Sequence, residues 1–379
     1  MKRILVIPHS ADKQVRIRLL EIGRVLSRRH KVFCLDWQEP LNYSFSSRLK
    51  AASFNALIPL KALDYKGISL VNIPFLHRPL SLACRFNQYQ ILRFVNSYKI
   101  DVLLHGLNYF FPAPEKALYK DRSCINIFDF NDLPVEEMKT RKDKFVYSFA
   151  AKESHKADYI TVCSYSLRDY VKANFSKDAI YAPNGADFNT FRSVSRSEVR
   201  EIRKKHSSEG KFVIGYIGNL GEWVDIELLI KSYLIFKKKF KPASLWIVGG
   251  GYCLDKIKRR FSQEDIVFTR AVPSEEIASY FCALNIGVNP SKKSIFQDKA
   301  FHIKLVEYAA ARKIAISTPL EELGHSKFPH VLLREPLPEV WAEAFMHAKE
   351  LVWDEEWNNL SRIYDWERIA EGFFGLIEG

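Results

Sequence analysis

Residues 211–221, Lys211-Phe212-Val213-Ile214-Gly215-Tyr216-Ile217-Gly218-Asn219-Leu220-Gly221, decide the fold. The apolar run Phe212–Ile217 is too short for a helix, is rich in β-branched and aromatic side chains, and ends in a glycine that opens a turn. It reads as a buried strand. Downstream, Asp225 to Lys238 reads as a helix, Ser244–Val248 as a strand closed by Gly249-Gly250-Gly251, and Asp265–Thr269 as another strand. A helix at Ser274–Ala283, a strand at Asn285–Val288, a helix at Ile303–Arg312 and a strand at Ile314–Ser317 complete the series. Upstream the same alternation runs through Ile4–Ile7, a helix at Arg16–Arg28, Lys31–Leu35, Asp101–Leu104, Cys124–Phe128 and Tyr159–Val162. Short apolar strands between amphipathic helices mean βαβ units and parallel sheets covered on both faces. A charged, helix-like stretch from Ser195 to Lys211 separates the two series. The expectation is therefore an α/β chain of two doubly wound domains facing a cleft. The expected divisions are residues 1–190, residues 191–355, and a C-terminal helix at 356–379 that crosses back onto the first domain.

The length, 379 residues, agrees with two domains at roughly 150 residues each. Apolar residues at 47% and charged residues at 27% are ordinary for a globular protein and exclude a disordered or collagen-like chain. The formal charge of +13 is unevenly placed. Residues 1–100 hold 17 Lys/Arg against 5 Asp/Glu, whereas the rest of the chain is nearly balanced. An excess so local suggests a basic face toward an anionic partner, or else a lysine-rich solvated surface. Within it, residues 44–63 mix Phe45, Leu49, Phe54, Leu57 and Leu60 with Arg48, Lys50 and Lys61, a pattern fitting either a membrane-interface helix or a core helix with basic flanks. Aromatic-rich basic motifs of the RNP kind are absent, so no nucleic-acid partner is expected. The six cysteines, Cys34, Cys84, Cys124, Cys163, Cys253 and Cys282, form no CxxC pair, which argues against a zinc site or a disulfide framework. Ile4–Ile7 is too short for the apolar region of a signal peptide, and no run approaches 18 apolar residues. The expectation is a cytoplasmic protein, peripheral at the inner face of the membrane if the basic quarter engages lipid.

In open α/β sheets, ligands bind beyond the carboxyl ends of the strands. Gly218-Asn219-Leu220-Gly221, with Trp223 and Asp225 after it, and Gly249-Gly250-Gly251 both occupy such ends. Either run can offer backbone N–H groups to a phosphate, or simply form a tight turn; neither matches a complete phosphate-binding motif. Arg270, in Thr269-Arg270-Ala271, follows a strand where a guanidinium can take phosphate oxygens or a structural carboxylate. Lys304 and Glu307 share one helix face. They make either a surface ion pair or a divided site, with the ammonium for a pyrophosphate and the carboxylate for two ribose hydroxyls. Asp129 and Asp132, beyond Cys124–Phe128, could orient acceptor hydroxyls or cap the following helix.

In these residues the chain resembles the retaining nucleotide-sugar glycosyltransferases of the GT-B fold, which has two Rossmann-like domains, and in particular family 4. The resemblance runs in order along the chain. Glu153, His155, Ala157-Asp158-Tyr159-Ile160, Ser164 and Leu167 look like the family's domain-closing segment, and Pro183-Asn184-Gly185-Ala186-Asp187 with Phe191 is similar to its hinge entry. Ile214 to Leu220 with Trp223 and Asp225, then Trp246 to Gly251, are similar to its glycine turns. Lys304, Glu307-Tyr308, Ala310 and Thr318-Pro319 resemble its nucleotide site. The resemblance implies transfer of a sugar from a nucleotide-diphosphate sugar to a glycan or to an anionic or lipid-linked saccharide, with retention, without a cofactor or metal. It implies catalytic roles for His105, Arg270 and Lys304, and donor contacts from Gly218, Asn219, Trp223, Arg270, Ala271, Lys304 and Glu307. His105 stands where the family often has a histidine at the sugar, although a lone histidine at a strand end is also a common structural feature.

The chain departs from the family pattern at several places. Lys299 replaces the acidic residue eight positions before Glu307, Arg312 stands where glycine is usual, and Pro8-His9-Ser10-Ala11-Asp12 lacks the usual glycine pair. Val224-Asp225 stands where a basic residue is expected. A nucleotide-sugar 2-epimerase of the same fold and a non-catalytic sugar- or nucleotide-binding protein therefore remain as alternatives.

Overall fold

The computed structural model describes residues 1–10, 17–37, 63–76, 80–120, 123–134, 137, 139–261, 266–326 and 328–378. Residues 44–62 of the candidate interfacial stretch lie outside the described residues. The chain divides into two compact units, Met1–Asn184 with Trp366–Gly379, and Gly185–Asp365. Each is a doubly wound α/β unit, as the alternation predicts.

The first unit is built on β1 (Arg3–Ile7), β2 (Lys31–Leu35), β3 (Leu63–Tyr65), β4 (Ile68–Val71), β5 (Val102–Gly106), β6 (Ile125–Phe130), β7 (Tyr159–Val162) and β8 (Ile180–Tyr181). Their order is β3-β4-β2-β1-β5-β6-β7-β8, parallel throughout except for the β3–β4 hairpin. That hairpin does not appear in the alternation. Its turn, Lys66-Gly67, has positive φ at both residues (51° and 85°), the two-residue geometry that matches strand twist. Ile4 to Ile7 are almost completely buried because helices cover both faces of the sheet. On one face, the helix Leu80–Tyr98 sets Ile91, Phe94 and Val95 at helical spacing against Leu5, Phe33 and Leu103.

The C-terminal region departs from the expected single helix. Asp354 caps the helix Glu355–Ser361, a 3₁₀ turn covers Arg362–Tyr364, and a second helix runs Trp366–Glu378. The break has a packing cause. Tyr364 is buried in the second unit, stacks on Phe328 at 5.0 Å, and its carbonyl accepts from the Ala186 amide at 3.0 Å. The last helix belongs to the first unit. Its stripe of Trp366, Ile369, Ala370, Phe373, Phe374 and Ile377 is buried, and Glu367 accepts from Arg24 of the helix Ile17–Leu26 and from Arg28 just beyond it.

The second unit has β9 (Phe212–Ile217), β10 (Ala243–Val248), β11 (Ile266–Phe268), β12 (Ile286–Asn289), β13 (Ile314–Ser317) and β14 (Val331–Leu333), all parallel, in the order β11-β10-β9-β12-β13-β14. The order reverses between β9 and β12, so those two strands flank the ligand crevice of such a sheet. A glycine in β12 makes room for the helix Ile303–Ala310, and one in β9 makes room for Leu284. A side chain on Gly287 would lie 2.3 Å from the ring of Tyr308, and one on Gly215 would lie 2.3 Å from Leu284. With no side chain at Gly287, Tyr308 enters the sheet surface, and its hydroxyl donates, shared between the carbonyls of Gly215 (3.0 Å) and Val288 (3.1 Å). This contact sets the rotation of the helix Ile303–Ala310, and with it the direction of Lys304 and Glu307.

Gly287→Ala should therefore destabilise the protein by about 1–3 kcal/mol through overpacking against Tyr308. Tyr308→Phe, which keeps the ring but removes its donor, should cost about 1 kcal/mol. Urea unfolding curves check the order: a Gly287→Ala variant as stable as the parent would refute the contact.

Candidate functional site

Two glycine loops form the wall of the crevice beyond β9 and β10. The Gly218 amide donates to the Val248 carbonyl (3.0 Å), the Leu220 amide to that of Gly250 (2.7 Å), and the Cys253 amide to that of Leu220 (3.1 Å). The loops approach so closely that a Cβ on Gly249, whose φ is +132°, would sit 2.1 Å from the Gly218 carbonyl oxygen. Thr269, beyond β11, accepts from the Gly249 amide at 3.3 Å and braces the second loop.

Four elements bring polar groups together at the reversal point. Lys304, in the first turn of its helix, donates to Asn289 Oδ1 at 3.4 Å and lies 4.9 Å over the ring of Tyr216, with its stem close to Gly218. The Tyr216 hydroxyl donates to the Asn219 carbonyl at 2.7 Å. Asn289 is oriented by donating to Ser317 Oγ (2.9 Å) and by accepting from Ser291 Oγ (3.1 Å). Thr318, just past β13, is fully buried and its hydroxyl has no partner among the described residues. His302 is buried against the Gln297 carbonyl (3.1 Å); burial, reinforced by Lys304, pushes its imidazole down to about 4, so it is neutral at physiological pH.

Lys304 and Glu307 are both half-buried, and no ion pair joins them to each other or to another described residue. The simple surface ion pair is therefore not what forms. Desolvation pushes the Glu307 carboxyl up to about 7 and the Lys304 ammonium down to about 8, each charge only partly relieving the other. Two opposite charges kept apart in a crevice are a site poised for a ligand that carries both a negative group and hydrogen-bond donors.

The other residues expected to contact a donor are placed differently. Arg270 is exposed and its guanidinium stands 4.0 Å from exposed Asp255, a solvated pair outside the Lys304 cluster. Ala271 lies next to Gly250. Trp223 is 43% exposed, folds over Gly221 and meets the ring of Tyr252 at 6.2 Å. Asp225 caps the helix Ile226–Lys239 through the Leu228 amide (3.0 Å), which is a structural role. Lys299 is 3.5 Å from Glu321. A cavity of about 520 Å³ opens beside Gly221 and is lined by Tyr252, Lys256, Arg260 and Lys292, but touches neither Lys304 nor Glu307.

In the first unit, His105 lies inside β5 rather than beyond its end. It is buried, stacked on Phe128 at 5.1 Å, with Nε2 2.9 Å from Asn126 Oδ1 and Nδ1 3.8 Å from Glu153. Burial lowers its pKa, and these contacts are those of a core histidine. Asp129 is not free to orient a hydroxyl, nor does it cap a helix. It is fully buried, bound by Arg18 (2.8 Å) and Thr161 (2.8 Å), while Arg18 also donates to the carbonyls of Ala182 (2.6 Å) and Pro183 (2.7 Å). Asp132 faces solvent and accepts from the Asn131 side-chain amide at 3.4 Å. Arg18 was not legible as special among the many early arginines. Nor was His9, just past β1, which packs against Gly106 and has a buried Nδ1 without a partner among the described residues. Among the described residues, no group of three or more His, Cys, Asp or Glu is placed to hold a metal ion.

Residues 211–348 match the family described as Glycosyl transferases group 1. The chain is similar to an uncharacterized glycosyltransferase of Methanocaldococcus jannaschii, 25% identical over 218 residues that make up 55% of this chain and 52% of that protein. It is also similar to the GDP-mannose-dependent alpha-(1-6)-phosphatidylinositol monomannoside mannosyltransferase of Mycolicibacterium smegmatis, 25% identical over 142 residues, 36% of this chain and 37% of the relative. The matched stretches thus span about half of the first relative and about a third of the second. Among solved structures, HepE of Anabaena in complex with UDP matches over 100% of both chains, with a TM-score of 0.69 and 12% identity. Sucrose-phosphate synthase of Thermosynechococcus elongatus matches over 100% of this chain and 98% of that one, with a TM-score of 0.72 and 14% identity. These likenesses show the fold, which is GT-B.

The raised Glu307 pKa has a definite sign. Between the unfolded value near 4.5 and about 7, the folded state holds the extra proton, so ionising this carboxyl lowers stability as pH rises through that window. Glu307→Gln should therefore raise the melting temperature at pH 7.5, and the gain should disappear at pH 4. A loss of stability at pH 7.5 would refute the unpaired-carboxylate description.

Proposed function

Starting from a GT-B chain whose second unit is related to the group 1 glycosyl transferases, we propose that the protein moves a sugar from a nucleotide-diphosphate sugar to a glycan or lipid-linked acceptor, with retention of configuration. The observation that carries this is the separated pair Lys304 and Glu307 on one helix face at the strand-order reversal. Breaking the anomeric bond builds negative charge on the departing diphosphate, and a preorganised ammonium with backbone amides beside it lowers that barrier. Lys304 supplies the ammonium, and the Gly218–Asn219 turn the amides. Glu307, one turn on, accepts from the ribose hydroxyls. Binding relieves both strained charges, because the diphosphate favours the charged lysine and the diol favours the ionised carboxyl. Arg270 is exposed to solvent, where water screens its charge, so its contribution is smaller than that of half-buried Lys304.

Retention is carried over from the family resemblance. The acceptor is anionic or lipid-linked in this reading, supported by the surplus of basic residues in the first hundred positions. No helix among the described residues is long and apolar enough to cross a membrane.

Thermal-shift and calorimetric titration with UDP, GDP, ADP, CMP and dTDP, each with and without magnesium, test the donor site. One nucleoside diphosphate should stabilise the protein, and Lys304→Ala or Glu307→Ala should weaken its binding roughly 10–100-fold, as expected for loss of a charge-assisted contact. Arg270→Ala should weaken it less. Stabilisation by none of the five, or unchanged affinity in Glu307→Ala, would overturn the assignment.

A further inference from the structure

The helix Arg141–Lys156 carries a face that neither the core nor the donor site uses. It leads from β6 to β7 in a parallel sheet, so its first turns lie at the carboxyl edge of the first unit, where Tyr109 also emerges after β5. Arg141, Phe145, Phe149 and Lys152 fall on one stripe of this helix, with Lys142 beside it. The aromatic residues are gathered together. Tyr109 is 5.1 Å from Phe149 and 6.4 Å from Phe145, and those two rings are 6.2 Å apart. The Tyr109 carbonyl accepts from the Cys84 thiol at 2.9 Å, which fastens the loop to the helix Leu80–Tyr98. Phe145 nevertheless remains 44% exposed. Arg141, Lys142 and Lys152 are exposed and have no ion-pair partner among the described residues.

A packed aromatic cluster with one open face offers the flat apolar surface that the C–H face of a pyranose covers. Unpaired cations at both ends of the stripe add a requirement for negative charge on the same ligand. We propose that Tyr109, Phe145 and Phe149, with Arg141, Lys142 and Lys152, form a binding platform for an anionic saccharide: a sugar ring lies on Tyr109 and Phe145, and its carboxylates or phosphates pair with the cations. This deepens the transferase reading by naming the acceptor's chemistry, and rests on that reading for its role as acceptor. The clustering favours a saccharide over a lipid surface. The rings pack into a compact patch of ring-sized dimensions, while Thr140 and Asp143 fix the helix start in a reciprocal cap between the basic residues.

The test is calorimetric titration of the full chain with tetragalacturonate, with neutral maltotetraose, and with phosphatidylglycerol vesicles. Tetragalacturonate should bind and maltotetraose should bind at least several-fold more weakly. Phe145→Ser should weaken tetragalacturonate binding roughly five-fold, the scale of one lost aromatic contact. Arg141→Ser/Lys152→Ser should weaken it and flatten its salt dependence. All these side chains are surface groups, so the variants should keep the parental melting temperature and its nucleoside diphosphate shift. Absence of tetragalacturonate binding, equal binding of both oligosaccharides, equal binding by the variants, or vesicle binding alone would each overturn the platform. A wild-type protein that binds tetragalacturonate but no nucleoside diphosphate would overturn the transferase reading and leave the platform standing.

Discussion

The candidate site depends on one contact, the insertion of Tyr308 against β9 and β12, where Gly287 leaves room for its ring. A side chain at Gly287 would collide with the ring. The hydroxyl reaches a carbonyl of β9 and one of β12, sharing its hydrogen between them. These are the two strands between which the sheet order reverses, so the same contact closes the core and aims the helix Ile303–Ala310 at the crevice. With Tyr308 held, Leu305, Val306, Ala309 and Ala310 are buried, and Lys304 and Glu307 are left facing outward on the half-buried side.

The rest of the site follows from electrostatics. The crevice is polar but undersupplied with partners. Lys304 has only a long hydrogen bond and an aromatic face, Glu307 has no ion-pair partner among the described residues, and the Thr318 hydroxyl is buried with none. In a core built for stability alone, groups like these would be paired or absent. The first unit shows the contrast. Arg18 and Asp129 are both buried, yet they satisfy each other, and Arg18 also ties down the carbonyls at residues 182 and 183.

Much of this was legible in the sequence. Strands covered on both faces appear as uninterrupted apolar runs, which is why β1, β2, β9, β10 and β13 could be located closely. The three-residue spacing of Lys304 and Glu307 was enough to place them on one face. Other features left no local signal. The β3–β4 hairpin turns through Lys66, a residue with no conformational preference for positive φ, so nothing announced it. Asn289, Ser317 and Thr269 are ordinary polar residues at strand ends, and only the strand order brings the first two beside Lys304. The Arg18–Asp129 pair joins residues 111 apart in sequence, beyond the reach of any periodicity argument. For His105 the sequence offers a site role and a structural one, and β5, which continues through it to Gly106, favours the structural one.

The central claim is that ligand binding relieves the separated charges of Lys304 and Glu307. Proton linkage measures this most directly. The nucleoside diphosphate that binds should be titrated calorimetrically in buffers of different ionisation enthalpy at pH 6.5 and pH 8.5. At pH 6.5 the carboxyl is largely protonated when free, so binding of the ribose diol should release protons. At pH 8.5 the amine is largely neutral when free, so binding of the diphosphate should take protons up. That reversal of sign is the predicted result. The same observed enthalpy in every buffer at both pH values would contradict the account.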